Sequence, residues 1–376
     1  MAATGTAPIK VTLEKGIGGV ATPTLLSAML HATPQVSDLV FSPGRPPQVE
    51  VLGQLIPVEV ANFKVMTADD TRRIAADLIG SNKQAITLLR EQGSCDISYG
   101  IAGVARFRVN VFIQRGSCAV IMRVIPTTIP DFAALGLPGH LKEIADLKDG
   151  IVLVTGARGS GKSSTLAALL DEINRRKTCH IITIEDPIEF LHNHKQATIH
   201  QRELHSDTPS FAHALKAALR QAPRVILLGE MLDSETMKMA LEAAETGHLV
   251  LSCVNTVDAA KTVERLVRAT EHEAVRSRVA KSLRFVIAQR LIPRKDGQGR
   301  VAAFEILKVC PRILESLEQE DPSGQLLLRA MKEGALDGMQ HFDAEIEKLV
   351  KSGIVEAETA LAYASDPKAM KAVLHC

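Results

Sequence analysis

The chain has 376 residues, carries 44 Lys plus Arg against 43 Asp plus Glu, and gives 46% of its positions to hydrophobic residues. That length suits two domains better than one, and the balanced charge argues against a dedicated nucleic-acid binder, which would show a basic excess. The cysteines Cys95, Cys118, Cys179, Cys253, Cys310 and Cys376 make no Cys-x-x-Cys pair, so neither a disulfide framework nor a zinc knot is expected and a reducing cytoplasm fits best. No apolar run reaches the roughly 18 to 20 residues needed to cross a bilayer, and no charged start precedes a long apolar core, so direct membrane insertion is not expected.

Residues 1–23, rich in Gly, Ala and Thr without a sustained period, read as a flexible leader. A helical pattern over 24–31 is followed by strand patterns over 36–41 and 48–52, with turns at Ser42-Pro43-Gly44 and Gly53-Gln54. Helical patterns over 68–79 and 82–91 then precede three β-rich runs, 95–99, 105–112 and 119–124, so that 24–126 form a small α+β domain. Pro126, Pro130 and Pro138 interrupt the next stretch, and 127–149 read as a linker.

From Gly150 onward continuous apolar runs at 151–154, 180–184, 225–228 and 248–254 alternate with helical segments. Buried strands with helical crossovers specify an α/β domain, over 150–376, whose mainly parallel sheet is covered on both faces. Its helices include 164–176 and 234–246, the second stopped by Gly247. Residues 257–289 read as helices with a basic face of Arg265, Arg268, Arg276, Arg278, Lys281 and Arg284, and the pattern is helical again from 311 to the end.

Directly after the run at 151–154 comes Gly156-Ala157-Arg158-Gly159-Ser160-Gly161-Lys162-Ser163, with Ser164 opening the helix. This is a phosphate-binding loop in its required strand-to-helix context, so ATP is the expected ligand. Three glycines let backbone N–H groups turn toward phosphate oxygens, the helix presents its positive end, Lys162 adds a point charge, and Ser163 offers a hydroxyl to Mg²⁺. Such a loop needs a carboxylate at the end of a neighbouring strand. Glu230, after 225–228, and Glu185, after 181–184, both qualify, with Asp186-Pro187-Ile188-Glu189 extending the second group. Each acid alone could equally cap a turn; their joint placement with the loop favours function. His192, His194, His200 and His205 cluster in sequence, but no Cys or carboxylate completes a ligand set and no zinc is expected.

These residues resemble a known family. The loop, Thr183-Ile184-Glu185-Asp186-Pro187-Ile188-Glu189-Phe190, Leu228-Gly229-Glu230-Met231 and Ala244-Glu245-Thr246-Gly247-His248-Leu249 are similar to the signature boxes of the type II/IV secretion traffic ATPases, within them the type IV pilus retraction (PilT-like) group. The likeness runs over 24–368, taking in Gly103-Val104-Ala105-Arg106-Phe107-Arg108-Val109-Asn110 and Gly338-Met339-Gln340. It implies a PAS-like N-terminal domain, a RecA-like P-loop ATPase domain with C-terminal helices, and a homohexameric ring in which the first domain packs on the neighbour's second. It also implies a cytoplasmic motor that works at the inner membrane through a pilus platform protein, with a paralogous ATPase as a further partner.

By the same resemblance Glu185 activates the attacking water, Glu230 is the carboxylate near Mg²⁺, His248 links nucleotide to subunit contact, and Arg108 and Arg123 reach the triphosphate. A guanidinium fork suits that last task because charge spreads over phosphoryl oxygens in the transition state. The chain departs from the pattern where Asn255 stands for a histidine, where Leu232 stands for an arginine, and at Pro311-Arg312-Ile313-Leu314-Glu315, where the family has an Ala-Ile-Arg-Asn box. An amide cannot take up a proton near neutral pH. Two readings therefore stand beside each other, a motor that hydrolyses ATP to retract a pilus and an accessory ring subunit with weak turnover. A pseudopilus assembly ATPase is a third, disfavoured by the absence of a four-cysteine zinc element and by the short first domain.

Overall fold

The computed structural model describes residues 9–11, 21–33, 35–51, 53–60, 65–126, 128–270, 275–319, 321 and 324–374. The chain divides into two units, Met1–Thr127 and Thr128–Cys376. The first contains β1 (Ile9–Val11), α1 (Thr22–His31), β2 (Val36–Phe41), β3 (Gln48–Val51), β4 (Gln54–Val60), α2 (Ala68–Ile79), α3 (Lys83–Gln92), β5 (Ser94–Ile101), β6 (Ala105–Gln114) and β7 (Ser117–Ile125). Its strands form one sheet in the order β1-β4-β3-β2-β7-β6-β5. Alternation along β6 and β7 sends Phe107, Val109, Val111, Val120 and Met122 into a core with Leu25, Leu26 and Met29 of α1 and Ile74 of α2. α2 starts where it does because Thr67 and Asp70 close a reciprocal capping box.

Part of the segment expected as a flexible leader is a sheet strand, since Ile9–Val11 pairs in parallel with Val58, Glu59 and Val60 of β4. The remainder of that segment before Ala21 lies outside the described residues. The expected linker differs as well. From Thr128 it belongs to the second unit, where Phe132, Leu137, Leu141 and Ile144 are buried against Val152, Val154 and Leu166. The prolines break long helix, but the apolar positions of the 3-10 helix Gly139–Asp146 still find a partner in the core.

The second unit is a RecA-like P-loop α/β layer structure built from β8 (Gly150–Thr155), α4 (Lys162–Arg176), β9 (His180–Glu185), β10 (Thr198–Glu203), α5 (Phe211–Ala218), β11 (Val225–Leu228), α6 (Ser234–Glu245), β12 (Leu249–Val254), α7 (Ala259–Thr270), α8 (Val275–Ser282), β13 (Leu283–Pro293) and β14 (Arg300–Lys308). The strand order is β10-β9-β11-β12-β8-β13-β14. All neighbours are parallel except β13 and β14. Both faces are covered: Ile151 and Leu153 of β8 pack with α5 and α6, whereas Val152 and Val154 pack with α4. Helices α9 (Pro311–Glu318), α10 (Gln325–Glu333), α11 (Phe342–Lys351), α12 (Ala357–Tyr363) and α13 (Pro367–Leu374) complete the unit.

Within 257–289, expected as helical, the described helices are α7 and α8, and the second ends at Ser282. Phe285, Val286, Ile287 and Ala288 are buried in β13, which pairs with β8 on one side and β14 on the other. A continuous apolar run this short fits a buried helix or a buried strand equally by periodicity, and the sheet decides because it satisfies both rows of backbone groups. The basic face expected there is largely neutralised within the chain: Arg268 pairs with Glu264, Arg278 with Glu245 and Arg284 with Asp149.

Candidate functional site

A parallel sheet delivers every strand's C-terminal end to one edge, and ligands bind along that edge. Here the register places Thr155 of β8 beside Val254 of β12 and Ala288 of β13, and Leu228 of β11 beside Ile184 of β9. Consequently the loop 156–161, Asn255, Glu230 and Glu185 lie at the ends of four adjacent strands, and Gln289, within the longer β13, follows the residue level with Thr155.

The loop conformation requires its glycines. Gly156, at φ 147°, would carry a Cβ only 2.4 Å from the Gln289 carbonyl oxygen, and a Cβ on Gly161, at φ 90°, would fall 2.7 Å from Gln289 Nε2. Gln289 also holds the loop actively. Its Nε2 donates to the Ser160 carbonyl at 2.6 Å and its Oε1 accepts from Thr165 Oγ1 at 2.8 Å, all within the buried interior. From the other side, Thr155 Oγ1 donates to the Thr256 carbonyl at 2.6 Å, tying the end of β8 to the segment after β12. Lys162 Nζ donates to the carbonyls of Gly156 and Ala157 at 3.1 and 3.0 Å, so its ammonium lies over the loop. Ser160 Oγ is buried without a partner. Arg158 and Ala157 are exposed, whereas Ser163 and Ser164 stand half-buried at the start of α4.

Glu185 is partly buried and accepts from Thr183 Oγ1 at 2.6 Å and from Gln201 Nε2 at 3.0 Å. Burial raises its carboxyl to about 6 despite the lowering effect of those two donors. A carboxylate in that range can both hold and release a proton near neutral pH. Glu230 accepts from Asn255 Nδ2. Gly229 lets the backbone before Glu230 pack close to that of Glu185, because a Cβ there would stand 3.2 Å from Glu185 Cα. The Cys253 thiol, buried beside them, is pushed up to about 12 by burial and by Glu230, and donates to the Gly229 carbonyl at 2.9 Å. With the Ser163 hydroxyl and the Glu230 carboxylate as candidate ligands, the donor set is hard oxygen and fits Mg²⁺.

Of the remaining expected site residues, His248 belongs to the second unit and the two arginines to the first. His248 directly precedes Leu249, the first residue of β12, so it lies at the opposite end of the strand from Asn255. Its Nδ1 is within hydrogen-bond distance of the Ala243 carbonyl at 2.9 Å, at the end of α6. His248 therefore stands at the end of β12 away from the loop, while Asn255, at the loop end, donates to Glu230. Arg108 and Arg123 belong to the first unit, on β6 and β7, where they are directly opposite each other. β6 is an interior strand, and Arg108 is exposed; Arg123 is 72% exposed and pairs with the buried Asp38 at 3.0 Å. Like charges directly opposite on a sheet are unfavourable by themselves, and the Asp38 carboxylate beside Arg123 relieves part of that repulsion.

The histidines also regroup. His200 meets His180 at 2.9 Å between Nδ1 and Nε2 and stacks edge-on near His194, at the far edge of the sheet. No group of three or more His, Cys, Asp or Glu set to hold a metal occurs among the described residues. Gln289, Thr155 and Gln201 escaped the sequence reading. Gln289 carried a signal in its place at the end of an apolar run, but the run was read as helix.

The type II/IV secretion system protein family model matches residues 92–337. The chain belongs to that family. The type IV pilus retraction ATPase PilT of Pseudomonas aeruginosa is 42% identical over 335 residues, covering 88% of this chain and 95% of that protein. The twitching motility protein of Neisseria gonorrhoeae is 41% identical over 327 residues, covering 86% of each chain. Among solved structures, the pilus retraction motor PilT with bound ADP superposes with a TM-score of 0.80 at 37% identity, covering 93% of this chain and 98% of that one. No helix among the described residues is long and apolar enough to cross a membrane.

Proposed function

We propose that the chain is the ATP-hydrolysing subunit of a homohexameric cytoplasmic motor that retracts a type IV pilus. One observation carries this reading: adjacent parallel strands bring the phosphate loop, Asn255, Glu230 and Glu185 to a single edge. The loop amides and Lys162 bind the triphosphate, and the fixed backbone needs no reorganisation when charge moves during transfer. Mg²⁺, bound through Ser163 and Glu230, would neutralise charge on the phosphoryl oxygens. Glu185 orients water and accepts its proton, a task suited to a carboxyl raised to about 6. Arg108 and Arg123, paired on an exposed face of the first unit, serve a neighbouring subunit's triphosphate. A pilus platform protein at the inner membrane and a paralogous ATPase are the proposed partners.

The decisive experiment has two levels. Purified protein should hydrolyse ATP, and Lys162→Ala and Glu230→Gln should not. In a cell lacking its retraction ATPase, the wild-type chain should restore twitching and Glu230→Gln should fail. A second reading, an accessory ring subunit with weak turnover, draws on the Asn255 amide that engages Glu230 and on Leu232, which is 59% exposed. It requires ATP binding with hydrolysis no faster than Glu230→Gln.

A further inference from the structure

Glu185 has two side-chain donors, and both reach the same oxygen. Thr183 Oγ1 donates to Oε1 at 2.6 Å and Gln201 Nε2 donates to it at 3.0 Å, so neither is spent on Oε2. Register explains the convergence. Gln201 of β10 lies level with Thr183 of β9, two residues before Glu185 on the latter strand. Residues i and i+2 of a strand share a face of the sheet, which puts both donors on the face that carries Glu185.

Gln201 can make this bond in one orientation only. Its Oε1 accepts from the His192 amide at 2.8 Å, and its Nε2 donates a second bond to the Phe190 carbonyl at 2.9 Å. An amide turned over would set its oxygen against the Phe190 carbonyl and the Glu185 carboxylate, and its NH₂ group against the His192 N–H. The segment after Glu185 thus orients the glutamine that holds Glu185. The His192 ring adds no charge near neutral pH, because burial pushes its imidazole down to about 4. Burial is also the main reason the Glu185 carboxyl is raised; the Glu189 charge adds to it, and the Thr183 and Gln201 donors and the Glu189 amide oppose it. Of the other acids, Asp186 adjoins Glu185 in the chain, Glu203 accepts from the Ile188 amide at 3.0 Å, and Glu230 accepts from Asn255. Lys162 supplies positive charge on this edge, over the phosphate loop.

We propose that Gln201, with Thr183, is a positioning residue for ATP hydrolysis: the pair holds Glu185 by Oε1, so that Oε2 is the oxygen that faces the attacking water. The proposal rests on the reading of Glu185 as the base. The water proton passes to Oε2 while the water oxygen bonds to the γ-phosphorus and ADP departs with the bridging oxygen and its electron pair. Donors to a carboxylate favour its charged form, so losing either one raises the pH at which it takes up a proton.

Steady-state ATPase rates of the full chain at saturating ATP and Mg²⁺, from about pH 5 to about pH 9, test this beside equilibrium ADP binding. Gln201→Met and Thr183→Val are each expected to keep ADP affinity, to lower the plateau kcat about tenfold and to move the acid limb up by about one pH unit. Thr183→Ser retains a donor and is expected to restore the limb that Thr183→Val displaces. A packing defect alone would lower the rate without moving the limb. The proposal is overturned if either variant keeps the wild-type limb or the wild-type plateau. Should Gln201→Met lose ADP binding because the Phe190 and His192 backbone comes loose, Thr183→Val decides, and loss of ADP binding by Thr183→Val would itself overturn the proposal. Failure of the underlying reading looks different: the wild type would show no turnover above Glu230→Gln, or Glu185→Gln would turn over like the wild type.

Discussion

Replacing Gln289 by Met keeps the volume of the side chain and removes its amide. The amide satisfies two buried groups, the Ser160 carbonyl at 2.6 Å and the Thr165 hydroxyl at 2.8 Å. A buried polar group left without a partner costs about 1–3 kcal/mol. Thr165 can turn back toward a carbonyl in its own helix and recover part of its share, so a total loss near 2–4 kcal/mol is expected on the same scale. The Ser160 share falls on the phosphate loop itself, and ADP should bind about tenfold more weakly. Guanidinium denaturation without nucleotide and ADP titration read the two effects. Adding Thr165→Val to Gln289→Met removes the orphaned hydroxyl, so the double variant should be less destabilised than the sum of the singles, by about 0.5–3 kcal/mol of coupling. Wild-type stability and ADP affinity in Gln289→Met would refute the clamp, and strict additivity would refute the Thr165 contact.

Glu185→Gln should abolish turnover yet stabilise the protein. Burial raises this carboxyl from 4.5 to about 6, so between those values the folded state keeps a proton the unfolded state has lost. Stability therefore falls as pH rises through that window, and removing the acid recovers about 2 kcal/mol at pH near 7.5 but almost nothing near pH 4; denaturation at both pH values checks it. In the wild type kcat should fall as pH drops below about 6, because the base is then protonated. Gly156→Ala should destabilise the loop by about 2 kcal/mol or more, since its Cβ would meet Gln289 O at 2.4 Å, and should lose ADP binding in the same titration. Arg123→Ala and Lys162→Ala should each be inactive alone. Mixed in one preparation they should regain part of the ATPase rate, because one variant's intact loop meets the other's arginine; no recovery would contradict action on a neighbour.

The phosphate loop and its two acids were legible because each combines a local sequence pattern with an apolar strand beside it, and both signals are short-range. The limits of α2 could be read as Ala68–Ile79 for the same reason, with Thr67 and Asp70 closing a cap within one turn. What could not be read depends on contacts distant in sequence. β13 follows α8 with no Gly or Pro between them, and only its place between β8 and β14 makes Leu283–Pro293 a strand. Gln289 becomes a loop clamp because 129 residues separate it from Ser160 in the chain and 2.6 Å in space. His248 shows the converse. It sits within a family-like box, and only strand direction shows that it stands at the opposite end of β12 from Asn255.

The account depends on turnover at this edge of the sheet. Steady-state ATP hydrolysis by the full chain, measured beside Glu230→Gln and Lys162→Ala, tests it most directly. A wild-type rate clearly above both variants is the expected result; a rate equal to theirs, in protein that is folded and supplied with Mg²⁺, would contradict it.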